Sequence, residues 1–197
     1  SKDYLYTGLD RSEEMLRIAE MNINNNCNLI KGLAEKLNSV HENHYTHIIC
    51  LYFSAYYIKD PDVLFYNFSR WLKPGGLVTI HLVDKNLFDP VLNPANPSRI
   101  NSIQKYAKKR ITSSIIRFNN LTYISDFVLK KNNIAEFQEI IRFDDTNIER
   151  RQKHLLYMYS NKHYVKIAKK NNFELLEIKN MDSVKYEHNY LFTFKKV

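Results

Sequence analysis

The chain has 197 residues, of which 44% are hydrophobic and 25% are charged. These values are typical of one globular domain with a buried core, and they exclude a disordered or collagen-like chain. No apolar stretch approaches the roughly 20 residues that a membrane-spanning helix needs, so no membrane partner is predicted. The two cysteines, Cys27 and Cys50, lie far apart. They predict free thiols, a reducing compartment and a cytoplasmic protein.

The formal net charge of +8 is unevenly distributed. Residues 1–97 carry 9 basic and 11 acidic side chains, whereas residues 98–197 carry 20 and 10. Lysine outnumbers arginine 20 to 9, and the abundant Lys, Asn, Ile, Tyr and Phe all have A+T-rich codons, so base composition explains much of the basicity. The basic half could bind nucleic acid, but a solvated lysine-rich surface is the favoured interpretation.

The first half of the sequence alternates between short apolar runs and helical periodicity. Four runs predict β-strands, at residues 4–9, 28–31, 47–53 and 77–83. The third run is almost continuously apolar, which is typical of a strand buried on both faces of a parallel sheet. Helices are predicted after Ser12 and Asp60, because Ser and Asp cap helix N-termini; residues 24–26, three asparagines, are predicted to stop the first helix. This alternation predicts an α/β sheet with right-handed crossovers.

The second half has a different pattern. Residues 86–97 contain three prolines, which predicts an irregular loop, and residues 98–111 have the apolar spacing of a basic amphipathic helix. β-rich runs predict an antiparallel set at residues 114–118, 121–129, 134–143 and 154–159. A helix at 161–172 and strands at 173–181 and 190–195 are predicted to follow. The predicted domains are an α/β core of residues 1–84 and 160–197, and a β-rich insertion of residues 85–159 that covers a substrate site.

Two features of the first half carry chemical information. Asp10 lies where a predicted strand meets a helix N-terminus. Ligands of open α/β sheets bind at the carboxyl ends of strands, where a carboxylate can accept hydrogen bonds from both ribose hydroxyls of a nucleotide. The alternative is that Asp10 only caps the helix. Further along, Lys73-Pro74-Gly75-Gly76 predicts a helix stop, because Pro cannot continue a helix and Gly permits a positive φ.

Four motifs follow one another between residues 4 and 84. They are Gly8-Leu9-Asp10-Arg11-Ser12 with Met15-Leu16, Gly32-Leu33-Ala34-Glu35-Lys36-Leu37, the strand at 48–53, and Arg70-Trp71-Leu72-Lys73-Pro74-Gly75-Gly76. Together they resemble the class I S-adenosylmethionine-dependent methyltransferases. The resemblance implies a Rossmann-like, mostly parallel sheet whose last strand is antiparallel. It also implies S-adenosylmethionine as cofactor and methyl transfer as the reaction.

The resemblance also implies roles for individual residues. Asp10 and Arg11 would hold the ribose edge of the cofactor, and Leu33 and Ala34 would lie beside the adenine. Cys50 and Leu51 would lie near the methionine end. Many members of the family have Asp at the position of Leu33, so the hydrogen bond that Asp accepts from the adenine amino group is absent here.

The family's Gly-rich loop, and the strand before it, have no counterpart in this sequence. That strand belongs at the centre of the sheet. The sequence therefore predicts an N-terminally incomplete fold, weak or absent cofactor binding by this chain, and self-association through the exposed strand edge into a homo-oligomer.

No catalytic residue is assigned, because methyl transfer depends chiefly on aligning the nucleophile with the methyl group. Candidates for substrate contact come from segments over the strand ends, and they are Tyr56, Tyr57, Asp84, Tyr123, Arg142 and His154. His81, inside a predicted strand, is interpreted as a structural histidine. The layout of the insertion is similar to that of glycine and sarcosine N-methylating enzymes, which favours a small polar acceptor that is methylated on N or O.

Several alternatives stay open. The missing Gly-rich loop favours a non-catalytic or truncated methyltransferase-like domain, and the basic C-terminal half favours an RNA methyltransferase. A nicotinamide-binding domain is less favoured, because no G-x-G-x-x-G motif is present. The cysteines and histidines lack the spacing of metal ligands, so no metal site is predicted.

Overall fold

A computed structural model describes residues 5–23, 27–36, 40–91, 103–146 and 148–197. Its helices and strands are β1 (Tyr6–Asp10), α1 (Glu13–Asn22), β2 (Cys27–Lys31), β3 (Tyr45–Cys50), α2 (Pro61–Trp71), β4 (Leu72–Val83), β5 (Ser113–Arg117), β6 (Leu121–Leu129), β7 (Ile134–Phe143), β8 (Glu149–Tyr157), α3 (Asn161–Lys170), β9 (Phe173–Met181) and β10 (Tyr186–Lys196). Short 3₁₀ turns occupy Ser54–Tyr57, Ile103–Tyr106 and Asp182–Val184. The predicted helix stop at 24–26, Leu37 of the second motif and residues 92–97 of the predicted loop at 86–97 lie outside the described residues.

The strands form three sheets. β1 and β2 are a parallel pair. The core sheet has the order β3-β4-β10-β9, in which β3 and β4 are parallel and β10 is antiparallel to both of its neighbours. β5 to β8 form an antiparallel meander, as predicted for the insertion. The Rossmann-like fold with an antiparallel last strand is confirmed, but its parallel part is divided, because no strand of the described ranges lies between β1 and β3.

An aromatic core holds α2 and α3 on one face of the core sheet. Phe65 of α2 is fully buried, and its ring centroid lies 5.7 Å from that of Phe173 and 5.6 Å from that of Phe194, both edge-on. This is the geometry that aromatic rings prefer, and it adds about 0.5–1.5 kcal/mol per pair to the free energy gained by burying apolar surface. Tyr164 of α3 is also fully buried and packs edge-on against Tyr56 at 5.7 Å. The core therefore fixes both helices against β4 and β10.

The boundaries of α2 follow the sequence prediction closely. The Asp60 carboxylate accepts a hydrogen bond from the Asp62 N–H at 2.9 Å, and Pro61 occupies the first turn. The helix ends at Trp71, and β4 begins at the next residue. Gly75 has a φ of +74°, a left-handed conformation that glycine adopts readily because it has no Cβ. This is the positive φ predicted for the sequence Lys73-Pro74-Gly75-Gly76.

We expect Gly75→Ala to lower the free energy of unfolding by about 1–2 kcal/mol, because a Cβ disfavours positive φ. The nearest atom to that Cβ would be Lys195 Cε at 3.9 Å, so crowding makes no contribution. Urea unfolding of Gly75→Ala beside Gly75→Asn measures the effect. Asn tolerates the left-handed region, so the Asn variant should lose clearly less stability. Equal losses in the two variants would contradict the conformational explanation.

The strand predicted at 47–53 is shorter and less buried than predicted. β3 ends at Cys50, and Tyr52 and Phe53 follow with φ of 49° and 64°, which no strand accommodates. Ile49 is 69% exposed, so the prediction of burial on both faces is wrong. The reason is that β3 pairs with β4 alone among the described strands.

The predicted amphipathic helix at 98–111 is also wrong within the described residues. Only Ile103–Tyr106 forms a 3₁₀ turn, and residues 107–112 are irregular. The Gln104 amide accepts from the Ile111 N–H at 2.8 Å and donates to the Ile111 carbonyl at 2.7 Å, bonds that a continuous helix would not permit. The Arg110 guanidinium donates to the carbonyls of Lys85 and Phe88 at 2.9 and 2.7 Å. These side-chain bonds replace the helical ladder.

Two further findings bear on the class of protein. Cys27 and Cys50 are free thiols. No helix among the described segments is long and apolar enough to cross a membrane.

Candidate active site

A cleft of about 330 Å³ opens at the carboxyl ends of β1 and β2. One wall is the turn after β1, another is the segment after β2, and the third is the 3₁₀ turn Ser54–Tyr57. Strand ends of open α/β sheets are the usual place for a ligand. The predicted residues that line this cleft are Asp10, Arg11, Leu33, Ala34 and Tyr57.

Asp10 orders the first wall of the cleft. Its Oδ1 accepts a hydrogen bond from the Ser12 N–H at 2.8 Å, and Ser12 Oγ in turn accepts from the Met15 N–H at 3.3 Å. Ser12 is therefore the cap of α1. The side chain of Asp10 is exposed, and its Oδ2 makes no hydrogen bond within the described ranges. One carboxylate oxygen stays available to a ligand while the other holds the turn.

A hydrogen bond from α2 holds the segment after β2, and the residue that donates it was not among the residues predicted from the sequence. Asn67 of α2 is 2% exposed, and its Nδ2 donates to the Ala34 carbonyl at 2.8 Å. This bond fixes the backbone of Leu33 and Ala34 at the cleft. A signal was available, because Asn67 is a polar residue on the buried face of α2, beside Leu64 and Phe68.

Replacing Asn67 by Ala is expected to lower the free energy of unfolding by about 1–3 kcal/mol, because the Ala34 carbonyl loses its partner. The second wall of the cleft should also loosen, which weakens binding of S-adenosylhomocysteine several-fold. Thermal unfolding and calorimetric titration test both effects, with the exposed Asn28→Ala on β2 as the control. If Asn67→Ala and Asn28→Ala behave alike, the anchoring role is refuted.

Cys50 and Leu51 do not line this cleft. Burial raises the pKa of the Cys50 thiol to about 12, against a smaller opposing effect of a hydrogen bond with the Ala55 backbone. The thiol is thus packed beneath the 3₁₀ turn Ser54–Tyr57 rather than presented to a ligand. Leu51 is 38% exposed. A role for either residue near the methionine end of the cofactor stays a prediction.

A second cleft, of about 220 Å³, lies between the segments that follow β3 and β4 and the β5–β8 meander. Its lining is mainly aromatic, and it consists of Tyr52, Phe53, Tyr57, Phe88, Asp89, Pro90, Phe127, Phe137 and Leu156. Tyr57 lines both this aromatic cleft and the cleft at the ends of β1 and β2. The two clefts therefore meet at the Tyr57 side chain.

Tyr57 begins a chain of hydrogen bonds that runs into the meander. Its Oη lies 2.9 Å from His154 Nδ1, and His154 Nε2 lies 3.0 Å from Glu139 Oε2. Tyr123 Oη donates to the other oxygen, Glu139 Oε1, at 2.5 Å. The Arg11 guanidinium lies over the Tyr57 ring, 5.6 Å from its centroid. The structure thus brings together four residues that the sequence predicted separately.

Glu139 is the member of this chain that sequence analysis missed. It lies on the same face of β7 as Phe137 and Ile141, an otherwise apolar face, and this position was the available signal. Burial raises the pKa of the Tyr57 and Tyr123 hydroxyls, and the Glu139 carboxylate adds to this effect. The Arg11 guanidinium has the opposite effect on the pKa of Tyr57. Both phenols therefore keep their protons at neutral pH.

Tyr123 and His154 do not line either cleft, and they connect to Tyr57 through the hydrogen-bond chain. The three remaining predicted substrate residues also lie outside both clefts. Tyr56 is fully buried, and its Oη accepts a hydrogen bond from the Val83 N–H at 2.9 Å. Asp84 accepts from the Asn86 N–H at 3.0 Å in the turn after β4. Arg142 is exposed and pairs with Glu149 at 2.5 Å. Packing, turn formation and a surface ion pair explain these three residues.

His81, interpreted from the sequence as structural, is 5% exposed. Its Nε2 lies 2.9 Å from Asn189 Oδ1, and burial lowers its pKa. Its ring packs edge-on against Phe53 at 5.8 Å. His81, on β4, therefore packs against Phe53, which lines the aromatic cleft.

Comparison with known proteins agrees with this architecture. Residues 2–80 match a family model described as a methyltransferase domain. A solved S-adenosylmethionine-dependent methyltransferase from Clostridium acetobutylicum is 16% identical, with a TM-score of 0.73 over 98% of this chain and 75% of that one. The methyltransferase CcbJ from Streptomyces caelestis is 11% identical, with a TM-score of 0.72 over 97% and 74%.

A third solved structure is CalS10 from Micromonospora echinaspora, described as an amino pentose methyltransferase with S-adenosylmethionine bound. It is 15% identical, with a TM-score of 0.66 over 97% of this chain and 73% of that one. No curated protein matches the sequence. Residues 2–80 are thus similar to a methyltransferase domain, and the fold of the chain is that of S-adenosylmethionine-dependent methyltransferases.

Proposed function

We propose that the chain transfers a methyl group from S-adenosylmethionine to a small-molecule acceptor, on nitrogen or oxygen. The observation that carries this proposal is the position of Tyr57, which lines both the cleft at the ends of β1 and β2 and the aromatic cleft. A donor in the first cleft and an acceptor in the second would meet at this side chain. Two reactants held in adjacent sites are what an alignment-dependent reaction requires.

The residues of the first cleft fit the cofactor. Asp10 offers an exposed carboxylate oxygen for the ribose hydroxyls. Leu33 and Ala34, held by Asn67, offer an apolar edge for the adenine. When bound, the cofactor supplies a methyl group activated by a positively charged sulfur. The contribution of the chain is to bind, to orient the acceptor and to exclude water.

The aromatic cleft favours a small acceptor over a polymer. Its volume of about 220 Å³ suits a molecule of about one ring, and it is walled by the meander and by the segments that follow β3 and β4. Asp89, the one charged side chain among the described residues of its lining, offers a polar anchor. The amino pentose named for CalS10 is an acceptor of this size class.

The basic residues of the meander give little support to RNA as the acceptor. Lys130 and Lys153 both pair with Glu136, and Arg142 and Arg151 both pair with Glu149. Side chains that are neutralised in this way release few counterions when they approach a phosphate backbone. On β7 and β8 these paired residues lie on the face opposite to Phe137 and His154, so these basic side chains do not line the aromatic cleft.

Product formation from S-adenosylmethionine tests the proposal. The chain is incubated with a panel of small amines and alcohols and, separately, with an RNA oligonucleotide, and methylated product and S-adenosylhomocysteine are quantified by mass spectrometry. We expect product from a small acceptor, and its loss in Tyr57→Ala. Product from RNA alone, with a steep dependence on salt, would favour the RNA methyltransferase. S-adenosylhomocysteine binding without turnover of any acceptor would favour the non-catalytic domain.

A further inference from the structure

The hydrogen-bond chain from Glu139 to Tyr57 determines which groups donate. An ionised carboxylate only accepts, so the hydrogen between Glu139 and His154 resides on His154 Nε2. In a neutral imidazole the other nitrogen, Nδ1, is then an acceptor, and the hydroxyl hydrogen of Tyr57 points at it. The Tyr57 oxygen is therefore left with lone pairs only, and it is a hydrogen-bond acceptor on a side chain that lines both clefts.

This chain is held in place from several elements. Tyr123 on β6 donates to the second oxygen of Glu139, and the His154 ring lies 6.0 Å from Phe137 and 5.8 Å from Tyr57. The side chains of His154 and Glu139 are only 25% and 22% exposed. The Nε2–H of His154 stays on Glu139 while Nδ1 keeps a lone pair that can accept a proton.

From this geometry we propose that the acceptor is an amine, whose N–H donates to the Tyr57 oxygen and whose proton passes through Tyr57 to His154. The inference rests on the proposed function and narrows its substrate class. The Arg110 guanidinium lies over the rings of Phe88 and Phe127, so a substrate cation would meet the other rings of the aromatic cleft, those of Tyr52, Phe53 and Phe137. The Asp89 carboxylate in the lining reinforces that attraction. A neutral hydroxyl would gain less from these rings and this carboxylate.

The proton and electron movements balance. An alkylammonium group gives one proton to the Tyr57 oxygen while the Tyr57 hydroxyl proton moves to His154 Nδ1, which leaves a neutral amine and an imidazolium beside Glu139. The amine lone pair then forms the new N–C bond as the S–C bond breaks, and the electrons of the S–C bond stay on sulfur. Solvent removes the extra proton from His154 after product release. Tyr57 is the catalytic residue in this scheme, and His154 and Glu139 are positioning residues.

Matched probes test the recognition step. The chain is saturated with S-adenosylhomocysteine and titrated with 2-phenylethylamine or with 2-phenylethanol, which has the same ring and no charge, and affinities are measured by NMR. We expect the amine to bind about tenfold more tightly, as charge-assisted hydrogen bonding predicts. Tyr57→Phe and Glu139→Gln should each remove most of this preference. Glu136→Gln, on the same strand but paired with Lys130 and Lys153, should retain it.

The pH dependence of methylation tests the proton path. The groups that face His154 are Tyr57 and Glu139, with Tyr123 behind Glu139 and Arg11 over Tyr57. With 2-phenylethylamine as acceptor, the pH profile of kcat/KM should differ in shape between the unmodified chain and His154→Phe, because the variant lacks the group that accepts the proton from Tyr57. In His154→Phe, kcat should also fall more than KM changes. A purely structural histidine would leave the shape of the profile unaltered.

The possible results distinguish failure of the proposed methyl transfer from failure of the inferred amine acceptor. If S-adenosylhomocysteine does not bind, the proposed function fails. If it binds but the amine has no advantage over the alcohol, or keeps that advantage in Tyr57→Phe, the inference of an amine acceptor is overturned while methyl transfer to another class of acceptor stands. An unaltered pH profile in His154→Phe would overturn the proton path.

Discussion

Asp10→Ala is expected to weaken the binding of S-adenosylhomocysteine by at least about 30-fold. The carboxylate has one oxygen on the Ser12 N–H and a second, exposed oxygen at the cleft. Hydrogen bonds from ligand hydroxyls to a charged group contribute about 1.5–3 kcal/mol each, and 30-fold corresponds to about 2 kcal/mol. Calorimetric titration of the variant should therefore show no saturable heat under conditions in which the unmodified chain does.

A second variant separates ligand binding from the local turn. Asp10→Asn keeps an oxygen that can accept from the Ser12 N–H, so α1 should remain intact by circular dichroism, while the charge at the cleft is lost. We expect most of the affinity to disappear in this variant too. Glu13→Gln is the control, because Glu13 is a neighbouring acid that pairs with Lys31 and does not line the cleft. Full affinity in Asp10→Asn would mean that Asp10 serves the turn alone.

Tyr56→Ala is expected to lower the free energy of unfolding by about 3–5 kcal/mol, the usual cost of truncating a buried aromatic residue. The Tyr56 ring is fully buried and lies 5.6 Å from Phe53 and 5.7 Å from Tyr164. Its hydroxyl is the partner of the Val83 N–H in β4, which the truncation leaves buried and unpaired. Urea denaturation followed by fluorescence measures the loss.

Two further variants check this explanation. Tyr56→Phe removes only the hydroxyl and should cost about 1–3 kcal/mol. Tyr66→Ala removes a tyrosine that is 50% exposed on α2 and should change stability by no more than about 0.5 kcal/mol. A stable Tyr56→Ala variant with altered acceptor preference would instead restore the sequence-based prediction that Tyr56 contacts substrate.

Local sequence signals predicted the elements whose ends are set by local chemistry. Ser12 and Asp60 cap their helices, and Gly75 adopts the positive φ that its string favours. The antiparallel meander also follows its alternating pattern. In each case the deciding interaction lies within a few residues along the chain, so one sequence is enough to indicate it.

The failures arise where distant parts of the chain decide the outcome. The burial of residues 47–53 depends on neighbours on both sides of the strand, and apolar composition does not reveal whether they are present. The helical spacing of residues 98–111 is overridden by bonds from Arg110 to the carbonyls of Lys85 and Phe88, and by bonds from Gln104 to the Asp89 side chain and the Ile111 backbone. Periodicity carries no information on such side-chain competition.

The candidate site shows the same division. Asp10 was identified from its place at a strand end, a local signal. The Tyr57–His154 contact joins residues 97 apart in sequence, and Glu139 completes the chain from another strand. Tyr57 and His154 were indicated only as members of a larger set that also held Tyr56, Asp84 and Arg142. Only the fold distinguishes Tyr57 and His154, which contact each other at the site, from the other three residues, which do not line a cleft.

Binding of the cofactor is expected to be weak. β1 and β3 each have a single strand partner within the described ranges, and no described strand joins them, so the cleft is open on that side. We expect a dissociation constant of about 0.1–1 mM for S-adenosylhomocysteine, a binding free energy of only about 4–5.5 kcal/mol. The same unpaired edges favour self-association, which remains a prediction for sedimentation to test.

Calorimetric titration of the unmodified chain with S-adenosylhomocysteine tests the central claim most directly, because every proposed step begins with a cofactor in the cleft beside Asp10. We expect saturable one-to-one binding in the range of about 0.1–1 mM, with competition by S-adenosylmethionine. Absence of binding at millimolar ligand would contradict it and would leave the chain as a methyltransferase fold without a working cofactor site.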